Sequence, residues 1–179
     1  MTDETMPSIA IFYGSSTGNT QEAAEKIQQE LADFVHHVAD VVDSEPSDLE
    51  RYDILLLGVS TWNIGEMQED WDSFIPNMSG LDLSGKKIAF FAMGDQAGYP
   101  DNFLDAMGQL WKAVKELGNP ELVGTWPTEG YEFDASEGLF DENHFVGLGL
   151  DEENQSELHD ERISAWLIKV LMDCKLIPA

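Results

Sequence analysis

Six consecutive residues, Ser15-Ser16-Thr17-Gly18-Asn19-Thr20, put four hydroxyls and one amide where an apolar run gives way to a helical pattern. Hydroxyls beside a helix start suit an anion. The first backbone N–H groups of a helix lack intrahelical partners and sit at the positive end of its dipole. Such a turn can grip a terminal phosphate with no cation. Gly14 and Gly18 enclose three residues, whereas a nucleoside-triphosphate loop needs four and then Lys. The dinucleotide pattern G-x-G-x-x-G is absent as well. The competing reading is a helix cap in which Ser and Thr merely satisfy the first turn.

Trp62 and Tyr99 stand in Gly- and Asn-containing segments, "TWNIGE" and "MGDQAGYPDN", off any apolar stripe. Each could simply cover the end of a core. Two aromatics beside a phosphate turn could instead clasp a flat ring, which is worth roughly 1–3 kcal/mol per stacked ring. Gly65, Gly94 and Gly98 are expected to let backbone approach such a ligand.

These residues need a scaffold. "SIAIFYG" (Ser8–Gly14) and "DILLLGVS" (Asp53–Ser60) are apolar without alternation, as for parallel strands covered on both faces. "KKIAFFAMG" (Lys86–Gly94) is a further strand, and "HHVADV" (His36–Val41) is a weaker one at a sheet edge. "ELVGTW" and "HFVGLGL" also read as strands, flanking the polar, turn-rich "PTEGYEFDASEGLFDEN". Helical stripes comprise Ala23, Ala24, Ile27, Leu31 and Phe34, then Phe103, Met107, Leu110, Trp111, Val114 and Leu117, then Ile163 through Cys174. Asp101 is the expected cap of the second stripe, and "DWDSFIPNM" a short helix ended by Pro76. Strand–helix alternation predicts an α/β sandwich with a parallel sheet, in one domain spanning 1–179. In that architecture ligands bind beyond the carboxyl ends of the strands, where the three unusual loops emerge.

The chain has 179 residues, 9 basic and 35 acidic, for a formal net charge of −26. That balance argues against nucleic acid and anionic membrane surfaces, and fits basic partners. The acidic start "MTDETMPS" is no secretory signal, no apolar run reaches a membrane span, and Cys174 is the sole cysteine. A reducing, cytoplasmic setting is expected.

"YGSSTGNT", "STWNIGE", "GDQAGYPDNF" and "GYEFDASEGLF…FVGLGLDEENQ", in that order over nearly the whole chain, resemble the long-chain flavodoxins. The resemblance implies a flavodoxin-like three-layer sandwich, a five-stranded parallel sheet in 2-1-3-4-5 order, and FMN at the switch point. It also implies that an insertion at about 126–143 interrupts the fifth strand. Ser15, Ser16, Thr17, Gly18, Asn19 and Thr20 would hold the phosphate. Trp62 and Tyr99 would flank the isoalloxazine, and Thr61, Asn63, Ile64 and Gly65 would run along its dimethylbenzene and N5 edge. Asp95 and Asn102 would sit near its pyrimidine end and Glu153 near the ribityl chain, with Ser60, Met93 and Gly94 completing the cofactor-binding set. Ser60, Met93 and Glu153 stand where Pro, Thr and Asp are frequent in the family.

The implied function is a low-potential one-electron carrier, a monomer serving basic redox proteins such as a ferredoxin/flavodoxin–NADP reductase. The missing cation then has a purpose. One uncompensated like charge about 10 Å away, at an effective dielectric of roughly 20–40, costs about 1 kcal/mol. That equals about 40 mV for one electron. A quinone reductase on a related fold is the alternative; no catalytic acid–base set supports it. A phospho-receiver domain would need an acidic pair after the first strand, and "FYGSS" has none.

Overall fold

The computed structural model describes residues 6–178, so residues 1–5 of the acidic opening segment lie outside the described residues. The chain runs β1 (Ile9–Tyr13), α1 (Asn19–Leu31), β2 (Val35–Asp40), β3 (Ile54–Trp62), β4 (Glu66–Met67), α2 (Glu69–Phe74) and β5 (Lys87–Met93). It continues with α3 (Asp105–Lys115), β6 (Glu121–Leu122), β7 (Trp126–Pro127), β8 (Leu139–Asp141), β9 (His144–Phe145), β10 (Leu148–Leu150), α4 (Glu152–Gln155) and α5 (His159–Asp173).

The main sheet is ordered β10-β5-β3-β1-β2 with all neighbours parallel, which is the expected 2-1-3-4-5 arrangement. Alternation along each strand divides the core into two layers. Ala10, Phe12, Leu55, Leu57, Ile88 and Phe90 face α3 and the segment around Trp71 and Phe74. Ile9, Ile11, Ile54, Leu56, Ala89 and Phe91 face α1 and α5, where Ile27, Ile163, Trp166 and Val170 meet them. Because both faces are covered, β3 reads as an unbroken apolar run. β2, with one neighbour only, is half-exposed and reads weakly.

Several expectations need correction. Phe34 does not extend the α1 stripe: Ala32 adopts φ +46°, the helix breaks, and Phe34 lies exposed in a 3₁₀ turn. Asp101 does not cap α3; the cap position is Leu104, held left-handed at φ +59° with its side chain in the core. "ELVGTW" gives the two-residue β6 and, at Trp126, the start of β7, and "HFVGLGL" splits into β9 and β10. Between β6 and β10 the chain leaves the main sheet and forms a small antiparallel sheet, β7-β9-β8. Its polar composition conceals a packed layer: Tyr131, Phe133 and Phe145 surround Phe103 with ring centroids 5.7 Å away. Tyr131 donates to the Gly149 carbonyl at 2.6 Å, and burial pushes its hydroxyl pKa up to about 12.

Candidate functional site

The carboxyl ends of β1, β3 and β5 open on a cavity of about 260 Å³. Ser16, Thr17, Asn19, Thr20, Ser60, Thr61, Trp62, Asn63, Met93, Gly94, Asp95, Tyr99 and Glu153 line it. All of them were expected from the sequence, and Glu152 joins them unexpectedly. Ser15, Gly18, Ile64, Gly65 and Asn102 stand back from the wall.

One wall is the turn into α1. Gly18 occupies the cap position at φ +94°, a left-handed conformation that costs glycine little. It offers no side-chain cap, so the first turn's N–H groups face outward. Ser15 Oγ accepts from Gly18 N at 3.0 Å and shapes the turn from outside. Gln68 supports it from beneath. Fully buried, Gln68 donates through Nε2 to Ser16 Oγ (3.1 Å) and Asp70 (2.9 Å), and accepts from Trp71 N at 3.2 Å. Sequence reading missed Gln68, because nothing local marks a glutamine that reaches across 52 positions.

The facing wall carries the aromatics. Trp62 is the last residue of β3 rather than a loop residue, paired with Glu66 across a tight β3–β4 hairpin. Its indole donates to Ser60 Oγ at 2.9 Å, which fixes the ring's rotation. Thr61 Oγ1 accepts from Ala106 N at 2.9 Å. Asn63 at φ +47° and Gly65 at φ +76° make the turn, which leaves Ile64 76% exposed at its tip. Tyr99, 40% exposed, stands on the loop after β5.

That loop is stapled to the segment after β10. The fully buried Asp151 accepts from Gln96 N (3.0 Å), Gln96 Nε2 (2.7 Å) and Asn154 N (3.1 Å). Asn154 Nδ2 in turn donates to Asp95 Oδ1 at 2.8 Å. The glycines of these loops also make room for protein neighbours. A Cβ at Gly65 would meet Asp105 Oδ2 at 2.8 Å, one at Gly94 would meet Leu104 at 3.0 Å, and one at Gly98 would meet Asp95. Their bare backbones admit these protein neighbours, and Gly94 also lines the cavity.

Charge on the wall is of one sign: Asp95, Glu152 and Glu153, with no Lys or Arg among the lining residues. Glu152 contacts His159 Nδ1 at 3.4 Å, behind the cavity.

An open doubly wound sandwich with a ligand cavity at its switch point is defined by this geometry. The flavodoxin family profile matches residues 11–166, and the chain belongs to that family. A flavodoxin of Klebsiella pneumoniae is 46% identical over 96% of this chain and 97% of its own. A flavodoxin of Synechocystis is 45% identical over 92% of this chain and 96% of its own. Among solved structures, a Fusobacterium nucleatum flavodoxin bound to flavin mononucleotide superposes with a TM-score of 0.85 at 25% identity, covering 94% of this chain and 99% of that one.

Proposed function

We propose that this protein is a one-electron carrier that holds FMN non-covalently in the cavity at the ends of β1, β3 and β5. The observation carrying the reading is the cavity's two-sided build: an uncapped helix start with hydroxyls on one side, Trp62 and Tyr99 on the other. The residues fit the group. Outward N–H groups and the hydroxyls of Ser16, Thr17 and Thr20 are donors for a phosphate dianion. The two rings supply flat apolar faces, and a volume near the small end of ligand cavities suits a ligand that leaves one edge in solvent.

FMN, when bound, supplies redox chemistry that no side chain here provides. The chain positions it, strips water from its faces, and surrounds it with uncompensated carboxylates that keep added electrons costly. Exposed Ile64 and Tyr99, beside an acidic rim, give basic redox proteins a place to dock briefly. Among the described residues no helix is long and apolar enough to cross a membrane. We read the protein as a monomeric cytoplasmic carrier rather than an enzyme, with a reductase of the ferredoxin/flavodoxin–NADP type among its partners.

The test is calorimetric titration of the apoprotein with FMN. One-to-one uptake is expected, with flavin fluorescence quenched by the flanking rings. No uptake, or uptake unaltered when Trp62 and Tyr99 are both replaced by Ala, overturns the reading.

A further inference from the structure

The β3–β4 hairpin is clamped at both ends by residues that do not line the cavity. On its entering side, Thr61 Oγ1 accepts the Ala106 N–H at the start of α3. On its leaving side, Gln109, one turn further along α3, donates through Nε2 to the Gly65 carbonyl at 3.2 Å. The same Nε2 donates to Glu137 Oε2 at 3.1 Å. Glu137 belongs to the segment between β7 and β8, and its own N–H donates to Asp105 Oδ1 at 2.8 Å. The other oxygen of Asp105 accepts from Asn102 Nδ2 at 3.1 Å and lies directly behind Gly65.

We propose that Gln109 and Glu137 form a positioning pair: they fix the backbone of the Asn63–Ile64–Gly65 turn and so set the placement of Trp62 and Asn63 on the cavity wall. The sequence separation makes the case. A three-residue turn with an exposed Ile at its tip and two positive-φ residues has little packing of its own. The β3–β4 pairing and the Asn63 Nδ2 bond to Glu66 Oε2 at 3.0 Å close it from within, and from outside the Gln109 amide holds the Gly65 carbonyl. That amide has two acceptors, and Glu137 orients it. A freely rotating Gln109 would lose side-chain entropy each time it reached Gly65; a carboxylate that already holds the Nε2 lowers this cost. Glu137 is itself fixed, because its backbone is tied to Asp105 and the neighbouring Ser136 hydroxyl donates to the Phe103 carbonyl. The inserted segment thus reaches the Asn63–Gly65 turn by the relay Glu137 to Gln109 to Gly65, while Asp134 N and Ala135 N donate to the Pro100 carbonyl beside Tyr99.

The experiment compares wild type with Gln109→Leu, Glu137→Ala and Glu137→Gln. Gln109→Leu keeps the side chain's bulk and removes both bonds. Glu137→Gln keeps an oxygen that can accept, so it is the conservative rescue. Amide hydrogen exchange is read in the apoprotein across residues 63–67, with β1 amides as the control for global opening. FMN affinity is then measured by titration; this second arm alone rests on the FMN reading. Gln109→Leu and Glu137→Ala are expected to speed exchange across 63–67 by about three- to tenfold, the loss of one or so net hydrogen bonds. β1 exchange should stay unchanged, and FMN binding should weaken several-fold. Glu137→Gln should match wild type in both arms. Unchanged exchange at 63–67, equal acceleration in β1, Glu137→Gln behaving as Glu137→Ala, or faster exchange with FMN affinity unmoved would each overturn the proposal. Failure of wild type to take up FMN would sink the functional reading, and the exchange arm would still decide whether the brace exists.

Discussion

The wall at Ser15–Thr20 is built mainly from neighbours in sequence, whereas the wall carrying Trp62 and Tyr99 is held by residues far away. In the first, Ser15 bonds Gly18 three positions on, and the helix that follows supplies the anion-facing N–H groups. In the second, beside the local Trp62–Ser60 bond, the bonds that tie the wall to the rest of the fold span 44 to 59 positions: Gln109 to Gly65, Thr61 to Ala106, Gln96 to Asp151, Asn154 to Asp95. A local wall can be preformed wherever the strand–turn–helix unit folds. A remote wall exists only when the whole sheet edge has assembled. The phosphate side should therefore be the robust half of the site, and the ring side the half that mutations loosen.

The largest effect should come from removing both rings. Trp62→Ala with Tyr99→Ala is expected to weaken FMN binding by about 2–6 kcal/mol, summing roughly 1–3 kcal/mol per stacked ring. Inorganic phosphate should still bind the apoprotein, because the other wall is intact. Calorimetry with each ligand checks the separation; loss of phosphate binding in the double variant would break the comparison.

Gln68 is the place where the local wall is not local. Gln68→Ala strips the cap from Trp71 N and the support from Ser16 Oγ, both around a fully buried side chain. The buried Trp71 N–H left without its cap should cost about 1–3 kcal/mol of stability. Urea unfolding reads the stability, and phosphate titration reads the turn. If only stability falls, Ser15–Thr20 holds its shape unaided and the comparison sharpens.

The same division explains what was legible in the sequence. β1, β3 and β5 announce themselves because strands covered on both faces must be apolar throughout. Ser16, Thr17 and Thr20 are legible because helix-start chemistry is local. Trp62 and Tyr99 stand out only as aromatics off any stripe, and the family resemblance gave them a role. Gln68, Gln109, Glu137 and Asp151 were not legible at all. Each is polar, and each is assigned its work by a partner that folding brings near. Tyr131 and Phe133 were hidden inside a turn-rich run, although their spacing of two is the alternation of an extended segment with one face inward. Leu104 defeated the Asp101 cap because tertiary packing, not the hydroxyl or carboxylate preference of caps, decides where α3 begins.

A cation added to the local wall tests the electrostatic half of the account. Thr17→Lys should tighten FMN binding and raise the potential of the fully reduced couple. One charge about 10 Å from the ring is worth about 1 kcal/mol, or about 40 mV. Potentiometric titration at low and high salt measures it, and the shift should shrink as salt rises. A lowered potential would contradict the role given to the missing cation.

The smallest effect belongs to Asp105, at the junction of α3, the hairpin and Glu137. Burial, the largest cause, raises its carboxyl above the ordinary value of 3.8, and the charge of Glu137 adds to this. A carboxyl that holds its proton more tightly when folded stabilises the fold below the unfolded value. That contribution is lost as pH rises through the raised folded value. Asp105→Asn removes the titration and keeps an oxygen for Glu137 N, but turns an NH2 donor toward the Asn102 Nδ2 donor, so that bond re-forms only when the Asn102 amide turns over, a cost that does not vary with pH. The stability of the variant relative to wild type should therefore be highest near neutral pH and fall as the medium is acidified toward pH 3.8. Urea midpoints across that range, taken as a difference between the two proteins, cancel the titration of the other acids. A difference that stays constant with pH would mean that Asp105 keeps its charge without penalty, and that the brace behind Gly65 is polar rather than proton-linked.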